Sequence, residues 1–464
     1  MVVHIYIRHL PPMDSQIQAL IAAEYARQQN ELELIASENY VSLEVMQTYG
    51  NVFTNKYSEG NPGKRYYGGQ KWVDRMEVLT QHRALRMFGV VTADEPDCMT
   101  DAGYEQAKQD LASASRWVNV QPLSWSPANA AVYLWVLKPG DTILGMDLAA
   151  GGHLSHGHPL NISGIYFHIA SYGVHPETLR IDYDEIKQKA LASKPALILA
   201  WFSAYPGTLD RAQFAAIADA VEKEHHYRPL LMADIAHIAG LIAGGALASP
   251  FPYMDIVTTT THKTLRGPRG ALIYYRNGKL KRNNTDFVLE KSINRGVFPG
   301  IQWGPHEHII AAKAVAFAEV LQPSFRDYAR KIIENAQTLA AGLRDLGRRI
   351  ITDGTENHLL LLDATSKFLP DHAPIAGKEA EHILESVGIS CNKNMLPFDT
   401  RPPMDPSGIR LGTPAITTRG LWLAQMLTLA QAIDTALLHH EDETKLEEVR
   451  ATIKQLCKEF PLVY

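Results

Sequence analysis

Cysteine is scarce in this chain. Its 464 residues include only Cys98, Cys391 and Cys457, and no two of them form a CxxC pair. Neither a disulfide framework nor a thiolate zinc site is indicated, and we predict no metal site. Such low cysteine usage is typical of a reducing compartment, so we expect a cytoplasmic protein.

An excess of one charge sign and long apolar runs are also lacking. The formal net charge is −5 and the pI is near 6.4, which gives no general attraction to nucleic acid or an anionic membrane. The sequence contains no run of about eighteen apolar residues, which is the length needed to cross a bilayer. The start, Met1–His9, lacks the apolar core and cleavage site of a signal peptide. The expected partner is a small molecule or another protein, with no nucleic acid or membrane.

The composition is that of an ordinary globular protein, with 46% hydrophobic and 20% charged residues. In the middle of the chain, buried-strand patterns alternate with helical ones. The predicted strands are Ala196–Ala200, Pro229–Ala233, Ile256–Thr261 and Ala271–Tyr275. This alternation predicts an α/β domain with a mainly parallel sheet, whose ligands bind at the carboxyl ends of the strands.

The pattern changes after about Pro323, and we predict three parts. Residues 1–50 form an N-terminal helical arm, 51–322 a large α/β domain, and 323–464 a smaller α+β domain. The smaller domain is expected to contain a long helix, Phe325–Leu346, a strand, His358–Asp363, and a charged helix, Glu441–Phe460.

The strongest chemical signal is the segment Val257–Gly270. A β-branched strand runs into His262 and Lys263 and then into a glycine-rich turn. A partly buried lysine beside a second cationic group has a lowered pKa and suits a Schiff-base nucleophile. Taken alone, a solvated lysine in a basic turn is the better interpretation, because most lysines lie at the surface.

A second signal, Leu230–His237, changes that balance. Asp234 ends a buried apolar strand, and a buried carboxylate needs a cationic partner. In pyridoxal enzymes that partner is the protonated pyridine nitrogen, whose charge makes the ring an electron sink. The alternative is a structural aspartate that caps the next helix. Asp234 and Lys263 on successive strands favour the pyridoxal-phosphate site.

The third signal is a helix start, Leu123–Asn129, ahead of the helical run Ala130–Leu137. Serine followed by proline, as in Ser126–Pro127, is typical of an N-cap and the first helical position. The free N–H groups of such an end bind phosphate. In isolation a capped helix start with no ligand is the better interpretation.

Several longer strings resemble the serine hydroxymethyltransferase family over nearly the whole chain. The resemblance implies a fold-type I pyridoxal-phosphate transferase that moves the hydroxymethyl carbon of L-serine onto tetrahydrofolate, leaving glycine. The strings that carry it are Glu33–Tyr40, Thr54–Gly60, Pro62–Gly69, Gly151–Leu154, Thr258–Gly270, Asn392–Asn394 and Ser407–Gly420.

The resemblance also implies roles for single residues. Lys263 forms the Schiff base, Asp234 pairs with the pyridine nitrogen and His153 stacks on the ring. Ser203 and His237 lie near the ring's phenolic oxygen, and Thr260 is counted among the catalytic residues. Further cofactor contacts come from Ser124, Trp125, Ser126, His262, Tyr57, Trp303 and Gly304. Arg410 and Ser37 hold the substrate carboxylate, as suits a guanidinium fork.

The resemblance implies a second set of residues for proton transfer and folate binding. Glu59 is the acid–base residue, assisted by Tyr67, and a carboxyl group in that role needs a raised pKa. The resemblance further implies that each subunit contributes Tyr57, Glu59 and the loop 302–304 to the site of its neighbour. A homodimer or a dimer of dimers is therefore expected. The residues implied for the folate site are Leu148, Gly151, Gly152, Leu154 and Asn394.

The chain departs from the family pattern at three glycines, which are here Trp125, Trp201 and Trp303. Glycine lets a backbone approach a ligand closely, whereas tryptophan fills space. Either the three indoles pack into their surroundings, or they crowd the phosphate-binding cup. Smaller departures are Asn61, Lys71 and an extra stretch, Thr92–Ser115, for which we predict a surface helix that begins at Thr100–Asp101.

Three functions remain open from the sequence. The first is serine hydroxymethyltransferase. The second is a folate-independent aldolase or transaldolase acting on β-hydroxy amino acids. The third is a non-catalytic relative kept as a binding or scaffold protein, or a paralogue with an altered cofactor site and reduced activity. The tryptophans favour it, and the intact Lys263, Asp234, His153 and Arg410 oppose it.

Overall fold

The computed structural model describes residues 14–282 and 285–463, so the segment Met1–His9 lies outside the described residues. The strands are β1 Leu32–Glu33, β2 Gly60–Asn61, β3 Lys64–Arg65, β4 Arg116–Asn119, β5 Thr142–Met146, β6 His168–Tyr172, β7 Leu197–Leu199, β8 Leu230–Asp234, β9 Ile256–Thr260, β10 Ala271–Arg276, β11 Lys279–Arg282, β12 Thr285–Val288, β13 Leu359–Asp363, β14 Ile389–Ser390, β15 Asn392–Asn394 and β16 Gly408–Gly412.

Helices separate most of these strands. They are α1 Ser15–Asn30, α2 Leu43–Thr48, α3 Lys71–Arg86, α4 Asp101–Ser113, α5 Trp125–Val136, α6 Ile162–Tyr166, α7 Tyr183–Ser193, α8 Arg211–His225, α9 Ala239–Ala243, α10 Leu289–Arg295, α11 Glu307–Val320, α12 Pro323–Asp345, α13 Gly377–Ser386, α14 Pro414–Arg419, α15 Leu423–Leu438 and α16 Glu443–Glu459. No helix in the described ranges is both long and apolar enough to span a bilayer.

A seven-stranded sheet in the order β4-β10-β9-β8-β7-β5-β6 forms the centre of the large domain. Strands β6, β5, β7, β8 and β9 pair in parallel, while β10 runs antiparallel to both β9 and β4. Side chains of β7–β10 alternate between two buried cores, so helices cover both faces. The predicted α/β class with a mainly parallel sheet is confirmed.

The neighbouring strands β8 and β9 bring the two chemical motifs together. Asp234, the last residue of β8, lies opposite Thr258 in the register with β9. Lys263 follows the end of β9 by three residues. Because parallel strands end at the same edge of a sheet, both side chains reach one side of it.

The C-terminal part has its own sheet, in the order β13-β16-β15, and its own core. The start of the chain contributes to it, since β1 pairs in parallel with β14 and Leu32 and Leu34 join that core. The guanidinium of Arg419 donates to backbone carbonyls of residues from both ends of the chain, namely Gln28, Gln29, Glu31, Cys457 and Phe460. The predicted domain boundaries stay a proposal.

The extra stretch forms α4, whose N-cap is Thr100, as predicted. The Thr100 hydroxyl accepts a hydrogen bond from the Gly103 amide at 3.0 Å. Ala107 is buried in a small cluster with Val78 and Cys98, while most of the helix is exposed. The prediction of a surface helix is therefore correct.

A group of buried charges lies between α3 and α11. Arg65 pairs with Asp74 at 2.8 Å and with Glu77 at 2.5 Å, whereas the Glu307 carboxylate is 4.0 Å away from it. Burial raises the pKa of Glu307 to about 8; the charge of Glu77 adds to the rise and that of Arg65 opposes it. Glu307 therefore keeps its proton at neutral pH.

The raised pKa of Glu307 predicts a pH-dependent stability. Between its unfolded pKa, about 4.3, and about 8, the folded chain binds more protons than the unfolded one, so stability falls as pH rises. We expect the free energy of unfolding of the wild type, measured by urea denaturation at each pH, to fall between pH 5 and 8 more steeply than that of Glu307→Gln. The two slopes should differ by at most about 1.4 kcal/mol per pH unit. The exposed Glu379→Gln is the matched control. Parallel pH profiles for wild type and Glu307→Gln would contradict this assignment.

Candidate active site

Lys263 has a buried amine. Its side chain is 3% exposed, and Nζ has no hydrogen-bond partner in the part of the chain that the structure describes. Burial lowers the pKa of the amine well below its usual value; Arg410 and Arg269 act in the same direction and Asp234 opposes them. This is the environment that a nucleophilic lysine needs.

Asp234 is a buried carboxylate with several donors around it. Asn129 Nδ2 donates to Oδ2 at 2.9 Å, the Trp125 indole N–H donates to the same oxygen, and His156 Nε2 lies 3.5 Å from it. The backbone amide of Ala236 donates to Oδ1 at 3.0 Å. Burial alone would raise the pKa of Asp234, but the bonds from His156, Asn129 and Trp125 lower it below its usual value. Asp234 is therefore ionised.

The indole of Trp125 lies among His153, Asp234 and Lys263. It stacks on the His153 imidazole with centroids 3.8 Å apart and an interplanar angle of 27°. Its N–H donates to Asp234, and Lys263 Nζ is 3.8 Å from the ring centroid. One side chain thus makes the three contacts that the family resemblance assigns to the pyridine ring.

The other two tryptophans behave differently from Trp125. Trp201 is 2% exposed and packs its ring against the edge of His156 at 4.1 Å and of Trp125 at 5.3 Å. Trp303 is 63% exposed and contacts Phe298. Trp201 therefore packs into its surroundings. Trp125 instead fills space where the pyridine ring of the cofactor would bind, and not where its phosphate would bind.

The helix that carries Trp125 begins earlier than the sequence pattern suggests. Ser124 holds the N-cap position in an extended conformation and Trp125 is the first helical residue, so the expectation of an N-cap at Ser126 is wrong. Pro127 is tolerated in the first turn because amides there need no intrahelical partner. Ser124 and Ser126 are exposed, and no side chain caps the helix, as a phosphate-binding helix start requires.

A chain of polar groups runs from Ser203 to the small domain. His237 Nε2 is 3.1 Å from the Ser203 hydroxyl, and its Nδ1 is 3.1 Å from His358 Nε2. Burial, assisted by the charges of Arg410 and Lys263, lowers the pKa of His358 to about 3, and burial also holds the pKa of His237 well below its usual value. Both imidazoles are neutral.

Arg410 on β16 reaches the same region. It donates to the Ser203 carbonyl at 3.1 Å and to Asn392 Oδ1 at 3.2 Å. Burial lowers its pKa to about 10, which leaves the guanidinium charged at neutral pH. Gly412, two residues on, bonds to the Leu34 carbonyl and packs on Ala36, so the loop with Ser37 borders this strand.

Glu59 is buried and belongs to an aromatic loop. Its carbonyl accepts from the Tyr66 amide at 3.0 Å, and its charge raises the pKa of the exposed Tyr67. Tyr57 is exposed and lies against Tyr67 and Gly304. Among the described residues, no hydrogen bond or ring contact joins this loop to Lys263.

The residues expected at the folate site lie on two segments. Gly151 and Gly152 form a tight loop after β5: the Gly151 carbonyl accepts from the Ser203 amide at 2.8 Å, and a Cβ on Gly152 would clash with Met146. Leu148 and Leu154 on the same loop are exposed. Asn394, on β15, donates to the Met395 carbonyl at 2.6 Å.

Two further predicted site residues adjoin Lys263, one expected to be catalytic and one expected to contact the cofactor. Thr260 is buried and donates to the Ala236 carbonyl at 3.1 Å, which ties β9 to the loop after β8. His262 is half-buried; burial and the charges of Lys263 and Arg269 lower its pKa to about 3, so it is neutral.

Sequence reasoning missed three residues of this site: Asn129, His156 and His358. Asn129 lies one helical turn after Trp125 and His156 follows His153 by three residues, so both spacings could have indicated a shared face. His358 comes from the other domain, and no local pattern points to it.

A mainly parallel sheet with a buried lysine and carboxylate after adjacent strands, beside a smaller α+β domain, defines the fold-type I pyridoxal-phosphate transferases. The serine hydroxymethyltransferase family model matches residues 10–433. The chain belongs to the serine hydroxymethyltransferase family, whose members are pyridoxal-phosphate-dependent transferases of one-carbon metabolism.

The residue types around Lys263 suit this cofactor, but the space does not. Lys263, Asp234 and His153 are the side chains that hold a pyridine ring, and the Trp125 indole already contacts all three. Two rings cannot share one face of His153. The cofactor therefore does not fit this conformation of Trp125.

Proposed function

We propose that the chain interconverts L-serine and tetrahydrofolate with glycine and 5,10-methylenetetrahydrofolate, in a conformation in which Trp125 has left the ring position. The observation that carries this proposal is the buried amine of Lys263, which has no hydrogen-bond partner among the described residues, beside ionised Asp234 and charged Arg410. A binding protein without catalysis has no need for such a costly set of buried charges.

The side chains of this site divide the work of such a reaction. Arg410, with Ser37, orients the amino-acid carboxylate through a charge-assisted bond. The lowered pKa of Lys263 leaves its amine free to act as a nucleophile. Neutral His153, His237 and His358 add no competing positive charge.

We further propose a homodimer as the smallest active unit. Tyr57, Glu59 and the loop 302–304 serve the partner's site, and the exposure of Tyr57 and Trp303 agrees with such a role. Leu148, Gly151, Gly152, Leu154 and Asn394 bind the folate. We also propose a cytoplasmic location and assembly as a dimer of dimers.

The deciding experiment measures folate dependence. Purified protein with pyridoxal phosphate and serine should form glycine at a rate that rises with tetrahydrofolate. Glycine formation at an unchanged rate without folate would select the aldolase. The absence of serine cleavage both with and without tetrahydrofolate would contradict both enzymatic functions.

One observation favours a second candidate, a family member with a closed cofactor site and little activity. It is the indole of Trp125 against His153, Asp234 and Lys263. This candidate predicts no covalent attachment of pyridoxal phosphate to Lys263 after borohydride reduction, whereas the leading proposal predicts a phosphopyridoxyl group on that residue.

Replacing Glu59 tests its proposed proton transfer. Glu59→Gln should lower folate-dependent turnover by roughly 10²-fold or more, because a general acid–base group contributes that much. Attachment of pyridoxal phosphate to Lys263 should persist, since the proposed role of Glu59 is proton transfer with the substrate and not with the amine of Lys263. Steady-state kinetics and peptide mass spectrometry measure the two effects, with Glu379→Gln as the exposed control. Unchanged turnover would remove Glu59 from the mechanism.

A further inference from the structure

Trp125 places an aromatic ring where three cofactor-binding groups converge. Its ring stacks on His153, Lys263 Nζ lies over the ring at 3.8 Å from the centroid, and its N–H donates to Asp234. The N–H satisfies a buried carboxylate, which would otherwise lack one of its donors. The amine over the ring is a favourable contact for any fraction of Lys263 that is protonated.

We propose that Trp125 is a built-in occupant of the cofactor-ring site, so that the chain rests in a cofactor-free form and a pyridoxal phosphate binds only after the indole has moved out. The inference rests on the proposed function only in taking this pocket as the cofactor site. It does not depend on which reaction follows.

A second substitution supports the position of the indole. Trp201 fills the space behind it and contacts both His156 and Trp125 edge-on. Both positions carry glycine in the family pattern, and glycine has no side chain that could enter the pocket. The exposed Ser124 and Ser126 on either side of Trp125 leave solvent next to its Cα, which gives the indole a way out by side-chain rotation.

The size of the effect follows from a population shift. The apparent dissociation constant of a ligand rises by the inverse of the fraction of chains that are open. A buried hydrogen bond to a charged group alone biases an equilibrium by roughly 10- to 100-fold. We therefore expect Trp125 to weaken cofactor binding by at least about tenfold.

Binding measurements on three variants test this directly. Trp125→Gly removes the occupant, Trp125→Phe keeps a ring but lacks the N–H, and Trp422→Phe changes an exposed tryptophan far along the chain as a control. The probe is 4′-deoxypyridoxine 5′-phosphate, which lacks the aldehyde and so reports the ring site without a bond to Lys263. Isothermal titration calorimetry should give Trp125→Gly a dissociation constant at least tenfold below that of the wild type, Trp125→Phe an intermediate value, and Trp422→Phe the wild-type value.

A measurement on the wild type keeps the test independent of how the variants fold. With ¹⁵N-labelled tryptophan, the indole N–H of Trp125 should exchange slowly with solvent in the free chain and quickly after the probe is added. Fast exchange in the free chain would overturn the inference, and so would equal affinity of wild type and Trp125→Gly. Absence of binding by both proteins would overturn it too, because the pocket would then not be the ring site.

Catalysis is scored separately from binding. Tight binding by Trp125→Gly without serine cleavage would support the occupant and sink the proposed function. If the wild type binds the probe as tightly as Trp125→Gly and shows folate-dependent turnover, the proposed function is supported and the role of Trp125 as occupant is contradicted.

Discussion

Lys263→Met should abolish both the covalent attachment of pyridoxal phosphate and serine turnover, with a loss of roughly 10³-fold or more, as for removal of a nucleophile. Methionine follows the lysine side chain as far as Cε, with sulfur in place of Cδ, and lacks the amine. Because Nζ is buried without a hydrogen-bond partner in the described part of the chain, its loss leaves no donor or acceptor orphaned. Thermal stability should therefore be unchanged or higher, since a buried polar amine without a hydrogen-bond partner is replaced by an apolar group.

Two measurements separate the chemical role of Lys263 from a structural one. Mass spectrometry after borohydride reduction reports the attachment, and calorimetry reports the melting temperature. Lys454→Met, at an exposed position, serves as the matched control. Turnover by Lys263→Met within tenfold of the wild type would exclude Lys263 as the nucleophile.

The second large effect is on folding. Asp234→Ala should lower the free energy of unfolding by about 3–5 kcal/mol, because removal of one member of a buried charged network leaves its partners unpaired. The indole N–H of Trp125 and the backbone N–H of Ala236 are left without this acceptor, and Asn129 keeps only its longer contacts with Ser155 and His156. Asp234→Asn keeps one acceptor oxygen and should cost less.

Urea denaturation measures this loss, with the exposed Asp327→Ala as control. A double-mutant cycle adds the specific link to the indole. Trp125→Phe already lacks the N–H, so the double variant Trp125→Phe/Asp234→Ala should be less unstable than the sum of the single changes. Additive losses would show that the two side chains do not interact in solution.

The sheet could be predicted from the sequence because its strands are short apolar or β-branched runs. Ile256–Thr260 and Leu230–Asp234 lie within or beside their predicted ranges, and the parallel pairing of β8 with β9 follows from the strand–helix–strand order. The approach of Asp234 to the Lys263 region follows from that pairing. These features are encoded locally or by chain order.

The orientation of Trp125 could not be predicted in the same way. A glycine-to-tryptophan change reveals added volume but not the rotamer that the surrounding groups select. The place of His358 in the site could not be predicted either. Its contact with His237 joins residues that are 121 positions apart in the sequence. The residues that we expect to serve the neighbouring subunit lie at an interface between two chains. The fold of a single chain does not determine that interface.

The pairing of β1 with β14 has a consequence for the order of folding. The two strands are separated by more than 350 residues, and Arg419 fastens the same early segment to the carbonyls of Cys457 and Phe460. During synthesis residues 28–34 emerge long before β14 and α16 and find these partners only after those elements are made. The C-terminal core is thus closed by a segment that was made more than 350 residues earlier, and the high contact order of this pairing makes the closure a slow, late event.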